Sequence, residues 1–207
     1  MIANLIRATL AHNDPAIANF YLDVDVNMNG PDNKDASYFL RSERLGFRAW
    51  ASADFPLAKG LWGDPQVTRL FSKERLFDEQ IEERLKAELE RAETYGVQYW
   101  PMFELITGEH AGCCGLRPYR TEEKIYELGF HLRSAHWGSG FAKEAARTIL
   151  NHATEVLAIH AIFAGHHPDN AASRNVLLKL GFEETGTEYY EPTGLLHPSY
   201  MFNKIAR

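Results

Sequence analysis

Between Glu127 and Leu150 a strand, a turn and a helix are tied into one unit. Glu127-Leu-Gly-Phe-His-Leu132 alternates like a strand, passes through Trp137-Gly-Ser-Gly140, and opens directly into an amphipathic helix. Phe141, Ala145, Ile149 and Leu150 fall on one side of that helix. A helix start leaves backbone N–H groups unpaired and carries partial positive charge, and glycines let a ligand approach it closely. The turn therefore suits a pyrophosphate; the alternative reading is a plain tight turn. No Gly-Lys-Ser/Thr follows the glycines, which argues against a P-loop, and Lys143 stands where a dinucleotide fingerprint needs its third glycine.

A second segment, Pro168-Asp-Asn-Ala-Ala-Ser173 to Gly181-Phe182, follows a strand and opens a short helix that Asp169 or Asn170 can cap. Around the two segments the pattern predicts helices from Ser52 to about Trp62, at Asp64-Pro65, over Phe77–Tyr95 (closed by Gly96), Gly140–Glu155 and Ser173–Leu180. Strands are expected at Arg44–Trp50, Tyr99–Ile106, Ala111–Leu116, Lys124–Leu132, Ala158–Ala164, Glu184–Glu191 and Tyr200–Lys204. Antiparallel strands followed by strand–helix–strand units make this an α/β (α+β) chain with a mixed, mostly antiparallel sheet flanked by helices. Residues 1–40 read as an extension, with a short helix in Met1–Leu22 and a loop at 27–33, and 41–207 as the main domain.

A chain of 207 residues with net charge −6 is a poor electrostatic partner for nucleic acid or an anionic membrane, and its acidity favours a cationic partner. No apolar run approaches the ~20 residues that span a bilayer, and nothing resembles a signal peptide, so a cytoplasmic location is expected. The two cysteines, Cys113 and Cys114, are adjacent and read as small strand fillers. His166 and His167 would point to opposite faces of a strand, so no metal site is expected.

With these segments in hand, the chain resembles the GNAT superfamily of acyl-CoA-dependent N-acyltransferases, and within it the branch acting on ribosomal-protein N-termini. The resemblance runs from about Leu40 to Phe202. It rests on Ser42-Glu-Arg-Leu-Gly-Phe-Arg-Ala-Trp50, Leu61-Trp-Gly-Asp-Pro-Gln-Val67, Trp137-Gly-Ser-Gly-Phe-Ala142 and Pro168–Phe182. In the family's Gln/Arg-x-x-Gly-x-Gly/Ala turn, Trp137 takes the first position, Gly140 the glycine and Ala142 the small residue. The resemblance implies a sheet splayed between its fourth and fifth strands around acetyl-CoA. It places Phe130, His131 and Leu132 beside the pantetheine and thioester. Trp137, Gly138, Ser139, Gly140, Phe141 and Ala142 would lie at the pyrophosphate, and Asn170 and Ser173 at the thiol end. The expected partner is an amine acceptor, a peptide N-terminus or a small molecule such as an amino acid, polyamine or aminoglycoside; the chain would act as a monomer or homodimer. A non-catalytic acyl-CoA-binding module is the alternative.

Direct attack of an amine on the thioester needs a base, and Glu127 is the first candidate, acting through a water, with a salt-bridged strand carboxylate as the plain alternative. Glu104 and His131 are further candidates for the same task, and His136 shares the neighbourhood. The family's tyrosine acid falls at Leu177 here. Ser173 is the substitute suggested by the related branch; capping or contacting the cofactor is its other reading. Trp50, Trp62, Phe71 and Trp100 would either wall the acceptor pocket or pack the core.

Overall fold

The computed structural model describes residues 38–203 except 158 and 160. The short helix expected in Met1–Leu22 and the loop at 27–33 lie outside the described residues. In chain order the elements are β1 (Leu40–Arg41), β2 (Leu45–Phe47), α1 (Phe55–Trp62), α2 (Pro65–Thr68), α3 (Asp78–Tyr95), β3 (Tyr99–Glu104), β4 (His110–Arg120) and β5 (Ile125–Leu132). They continue with α4 (Phe141–Glu155), β6 (Ala161–Gly165), α5 (Ala171–Leu180), β7 (Glu183–Tyr190) and β8 (Leu195–Asn203). The strands form one eight-stranded sheet in the order β1-β2-β3-β4-β5-β6-β8-β7. Every neighbouring pair is antiparallel except β5–β6, which α4 connects as a parallel crossover. This is the mixed, mostly antiparallel architecture that the sequence pattern leads one to expect.

Alternation along the central strands divides the core into two layers. Trp100, Met102, Cys114, Leu116 and Leu128 face α4 and α5, meeting Phe141, Ala145, Ile149 and Leu177. Tyr99 and Cys113 face the other way, toward Trp50, Leu61 and Trp62 and toward Ile81 and Leu85 of α3. Each such large apolar side chain contributes roughly 1.5–3 kcal/mol on burial. Cys113 and Cys114 thus belong to opposite layers, and both are free thiols.

Several element ends differ from the sequence expectation for identifiable reasons. β2 stops at Phe47 instead of Trp50. The Arg48 N–H still reaches Pro101 O (3.4 Å), but Pro101 has no N–H to return, and Trp50 N donates to Gln98 Oε1 (3.0 Å) instead. α5 begins at Ala171, two residues early, because Asn170 caps it, its Oδ1 accepting from Ser173 N at 3.0 Å. β8 begins at Leu195, five residues early, because the turn at Thr193-Gly194 returns the chain along β7; Gly194 has φ +68 and donates to Tyr190 O. α3 ends as expected in a left-handed Gly96 (φ 68). The parting strands are β5 and β6, one further along than counted from sequence, because Leu40–Arg41 adds an edge strand.

Candidate active site

β5 and β6 pair over only three rungs, Ile125↔Ala161, Tyr126↔Ile162 and Glu127↔Phe163. Beyond Glu127, β5 runs on beside β4 to Leu132 while β6 has no register with it. The strands part there, and a cleft of about 860 Å³ opens between β5 and the β6–α5 side. That is ample for a cofactor-sized ligand. On the β6 side, the backbone of β5 past Glu127 has no ladder partner, so its polar groups can bond a ligand lying in the gap.

The mouth of the cleft is the turn after β5. Gly138 (φ +77) and Gly140 (φ +84) both adopt the left-handed backbone that glycine tolerates, and Gly140 is the N-cap of α4 with no side chain capping the first turn. A Cβ on Gly138 would meet nothing within 4 Å, so the surface is open to a ligand. Gly138, Gly140, Phe141 and Ala142 line the cleft, presenting the positive end of α4. Trp137 also lines it, with its indole N–H donating back to Leu132 O (3.0 Å). The Ser139 hydroxyl turns away and donates to His136 O at 2.6 Å, leaving Ser139 only a backbone role at the turn.

A latch absent from the sequence reading holds this turn. Glu144, on the first turn of α4, accepts from the Ser42 hydroxyl (2.6 Å), Arg44 N (2.8 Å) and Arg44 Nε (2.7 Å). Arg44 also donates to Ser139 O (3.0 Å) and covers the Phe141 ring. Burial alone would raise the Glu144 carboxyl, but these donors outweigh it and hold it below its ordinary value.

Glu127 sits at the apex, on the last paired rung. As alternation requires, Glu127, Gly129 and His131 face the α1–α3 layer, while Leu128 and Leu132 join the α4 layer, where Phe130 packs against them. The Tyr99 phenol donates to Glu127 Oε1 (3.3 Å). It reaches there because residue 129 is glycine: a Cβ would fall 2.2 Å from the Tyr99 ring carbon Cζ. Burial raises the Glu127 carboxyl above the usual carboxylate range; Arg117 and the Tyr99 hydrogen bond pull the other way without cancelling it. A carboxylate poised upward at the end of a cleft is suited to accept a proton.

Beside the apex, the Trp62 indole N–H donates to His131 Nδ1 (3.2 Å), and Phe71 stacks on the imidazole at 4.6 Å. An indole can only donate, so Nδ1 is unprotonated and the neutral ring carries its proton on Nε2. Burial, with Arg84 and Arg117 nearby, pushes His131 well below its usual value, which makes it a donor at neutral pH and a poor base. Glu88 is fully buried; it pairs with Arg117 and Arg91 and accepts from Tyr99 N (2.9 Å).

Asn170 and Ser173 line the far wall, as does Leu177, which is buried in the α4 layer where the family's acid would stand. His166 lies against Tyr200, its Nδ1–H donating to His167 O (2.8 Å), so Nε2 accepts from the Tyr200 hydroxyl. Among the described residues, no three His, Cys, Asp or Glu side chains converge as metal ligands. Of the aromatic candidates only Phe71 lines the cleft. Trp62 acts from behind it, Trp50 packs in the α1–α3 layer and Trp100 in the other. Glu104 lies outside the cleft and accepts from the Thr107 hydroxyl (2.9 Å). Sequence reasoning missed Arg44, Glu144, Tyr99, Arg84 and Arg117. A helix-start glutamate at Glu144 was the only visible signal among them.

The family model for the acetyltransferase (GNAT) domain matches residues 44–183. The chain is 28% identical over 171 residues to p20, an uncharacterised N-acetyltransferase of Bacillus licheniformis, covering 81% of this chain and 96% of that protein. Among solved structures, a GNAT-family acetyltransferase from Bacillus anthracis superposes with a TM-score of 0.68 at 20% identity, over 79% of this chain and 97% of that one. RimL, a ribosomal L7/L12 α-N-protein acetyltransferase in complex with coenzyme A, superposes with a TM-score of 0.68 at 16% identity, over 78% of this chain and 95% of that one.

Proposed function

Because the chain belongs to the GNAT acetyltransferase family, we propose that it moves an acetyl group from acetyl-CoA to a primary amine by direct attack. The observation that carries this is the three-rung pairing of β5 and β6, which leaves a gap running from the left-handed Gly138 and Gly140 at its mouth to Glu127 at its apex. The pyrophosphate takes the backbone N–H groups of 138–142, the pantetheine follows the unpaired edge of β5, and the thioester reaches the apex. The coenzyme A bound to RimL supports the same ligand here.

In this arrangement the residues bring the amine and thioester together, which supplies much of the rate. Glu127 receives the amine's proton through a water, Tyr99 holds its carboxylate in place, and Ser173 stands on the wall where a leaving thiolate needs a proton. A peptide α-amine, with pKa ~7.7–8.0 against ~10.4 for lysine, asks least of such a base. That, with the activity named for RimL, favours an N-terminal α-amine; an amino acid, polyamine or aminoglycoside is the small-molecule alternative.

Thermal unfolding with acetyl-CoA, using NAD and ATP as controls, tests the cofactor. At a hundredfold over its dissociation constant, acetyl-CoA stabilises by ~2.7 kcal/mol. No shift with any acyl-CoA refutes the reading. A shift without thiol release across a broad amine panel favours a binding module instead, the reading that Leu177 in place of a tyrosine keeps open.

A further inference from the structure

We propose that the acceptor amine carries a carboxylate a few atoms from the reacting nitrogen, and that the Arg84 guanidinium is its anchor. This rests on the transferase reading above and narrows its acceptor. Arg84 projects from α3 onto two aromatic faces, with Cζ 4.9 Å from the Trp62 ring centroid and 4.6 Å from that of Phe71. Its Nε is buried without a hydrogen-bond partner, and the side chain forms no ion pair with a carboxylate among the described residues. It lines the same cleft as Glu127 and His131.

The neighbouring charges sharpen the contrast. Arg117 and Arg91 both pair with Glu88, and its other oxygen accepts from Tyr99 N, so the contacts of that carboxylate go to groups other than Arg84. Arg84 is thus a half-buried cation that feels Glu88 only at a distance and has no carboxylate in contact beside the proposed point of attack. Burying the Arg84 Nε without a partner is costly, and a methionine would pack against Trp62 and Phe71 without that cost. The planar fork of a guanidinium matches a carboxylate with two parallel hydrogen bonds. Arg69 is one of four further cations on the lining, against the three carboxylates Glu127, Asp169 and Glu188, and the His131 Nε2–H adds a neutral donor. The local chemistry is therefore opposite to the whole-chain charge of −6, which on its own favours cationic acceptors.

The test compares matched acceptors at saturating acetyl-CoA. One arm sets free α-amino acids against their carboxamides. The other sets C-terminally amidated peptides with Glu or Asp second against the same peptides with Gln or Asn. We expect the carboxylate member to win by about tenfold or more in kcat/KM in one arm, which also identifies the source as amino acid or peptide. In Arg84→Gln the preference collapses through a raised KM for the acid, while the acetyl-CoA thermal shift persists; Arg84→Lys retains part of it. The wild-type comparison stands even if a variant fails to fold. Equal turnover of acids and amides overturns the anchor and leaves the transferase standing. No turnover of any amine overturns both.

Discussion

Replacing Gly129 by alanine adds one methyl group at the point where β5 meets the Tyr99 ring. The new Cβ would lie 2.2 Å from both Cζ and the phenol oxygen of Tyr99, against 3.4–4 Å for an ordinary contact, so more than an ångström must be found. Tyr99 has little room to give it. Its carbonyl accepts from the Trp50 indole (2.7 Å), Arg117 lies 3.9 Å above its ring, and His131 abuts it edge-on at 5.8 Å. Overpacking of a tight core costs about 1–3 kcal/mol. For a chain of this size each kcal/mol lowers Tm by ~2–4 °C. The same displacement removes the phenol from Glu127, so acetyl transfer falls along with stability. Gly165→Ala is the stability control, since its Cβ meets nothing closer than 3.7 Å. Denaturant unfolding and thiol release read the two effects. If Gly129→Ala unfolds like wild type and transfers acetyl at the same rate, the close approach of Tyr99 to β5 is wrong and the placement of Glu127 falls with it.

Further outcomes are expected at three other residues. Glu127→Gln slows transfer by ~10²–10⁴ while leaving the acetyl-CoA thermal shift intact; an unchanged rate removes it from the mechanism. Because the folded-state value of Glu127 is raised, its stabilising contribution is present at low pH and lost as pH rises through that value, so the variant should gain on wild type in neutral buffer and not in acid. Glu144→Ala frees the α4 turn from Ser42 and Arg44 and should weaken acetyl-CoA binding about tenfold, ~1.4 kcal/mol, as read by calorimetry. His110, pushed down to about 4 by burial and by Arg133, refuses a proton that the unfolded chain takes near pH 6.5. Stability should therefore fall by ~3 kcal/mol as pH drops from about 6.5 to about 4, and His110→Leu should be less acid-sensitive over that interval.

The parts of this fold legible in the sequence are those written in neighbouring residues. Gly96 ends a helix because glycine takes the left-handed cap without strain, and Phe141, Ala145, Ile149 and Leu150 all face the core as their spacing requires. The glycine turn and the shared face of Glu127 and Gly129 follow from equally local rules. What escaped is written in pairs far apart in the chain. Arg44 and Glu144 are a hundred residues apart, and nothing near either announces the other. Arg84 reads as one more charge on a wet helix until Trp62 and Phe71 arrive from elsewhere to enclose it. The early end of β2 needed a proline on another strand, Pro101, to be seen.

The three rungs between β5 and β6 also have a mechanical meaning. The sheet is two blocks, β1–β5 and β6–β8–β7, joined by a seam of three residues on each side and by α4 lying against α5. A ligand that bonds both banks of the gap completes the missing rungs and stiffens the seam. Amides on the open edge of β5 should then exchange with deuterated solvent quickly in the free protein and slowly in the liganded one. The slowing should spread to β6, which has no other neighbour on that side.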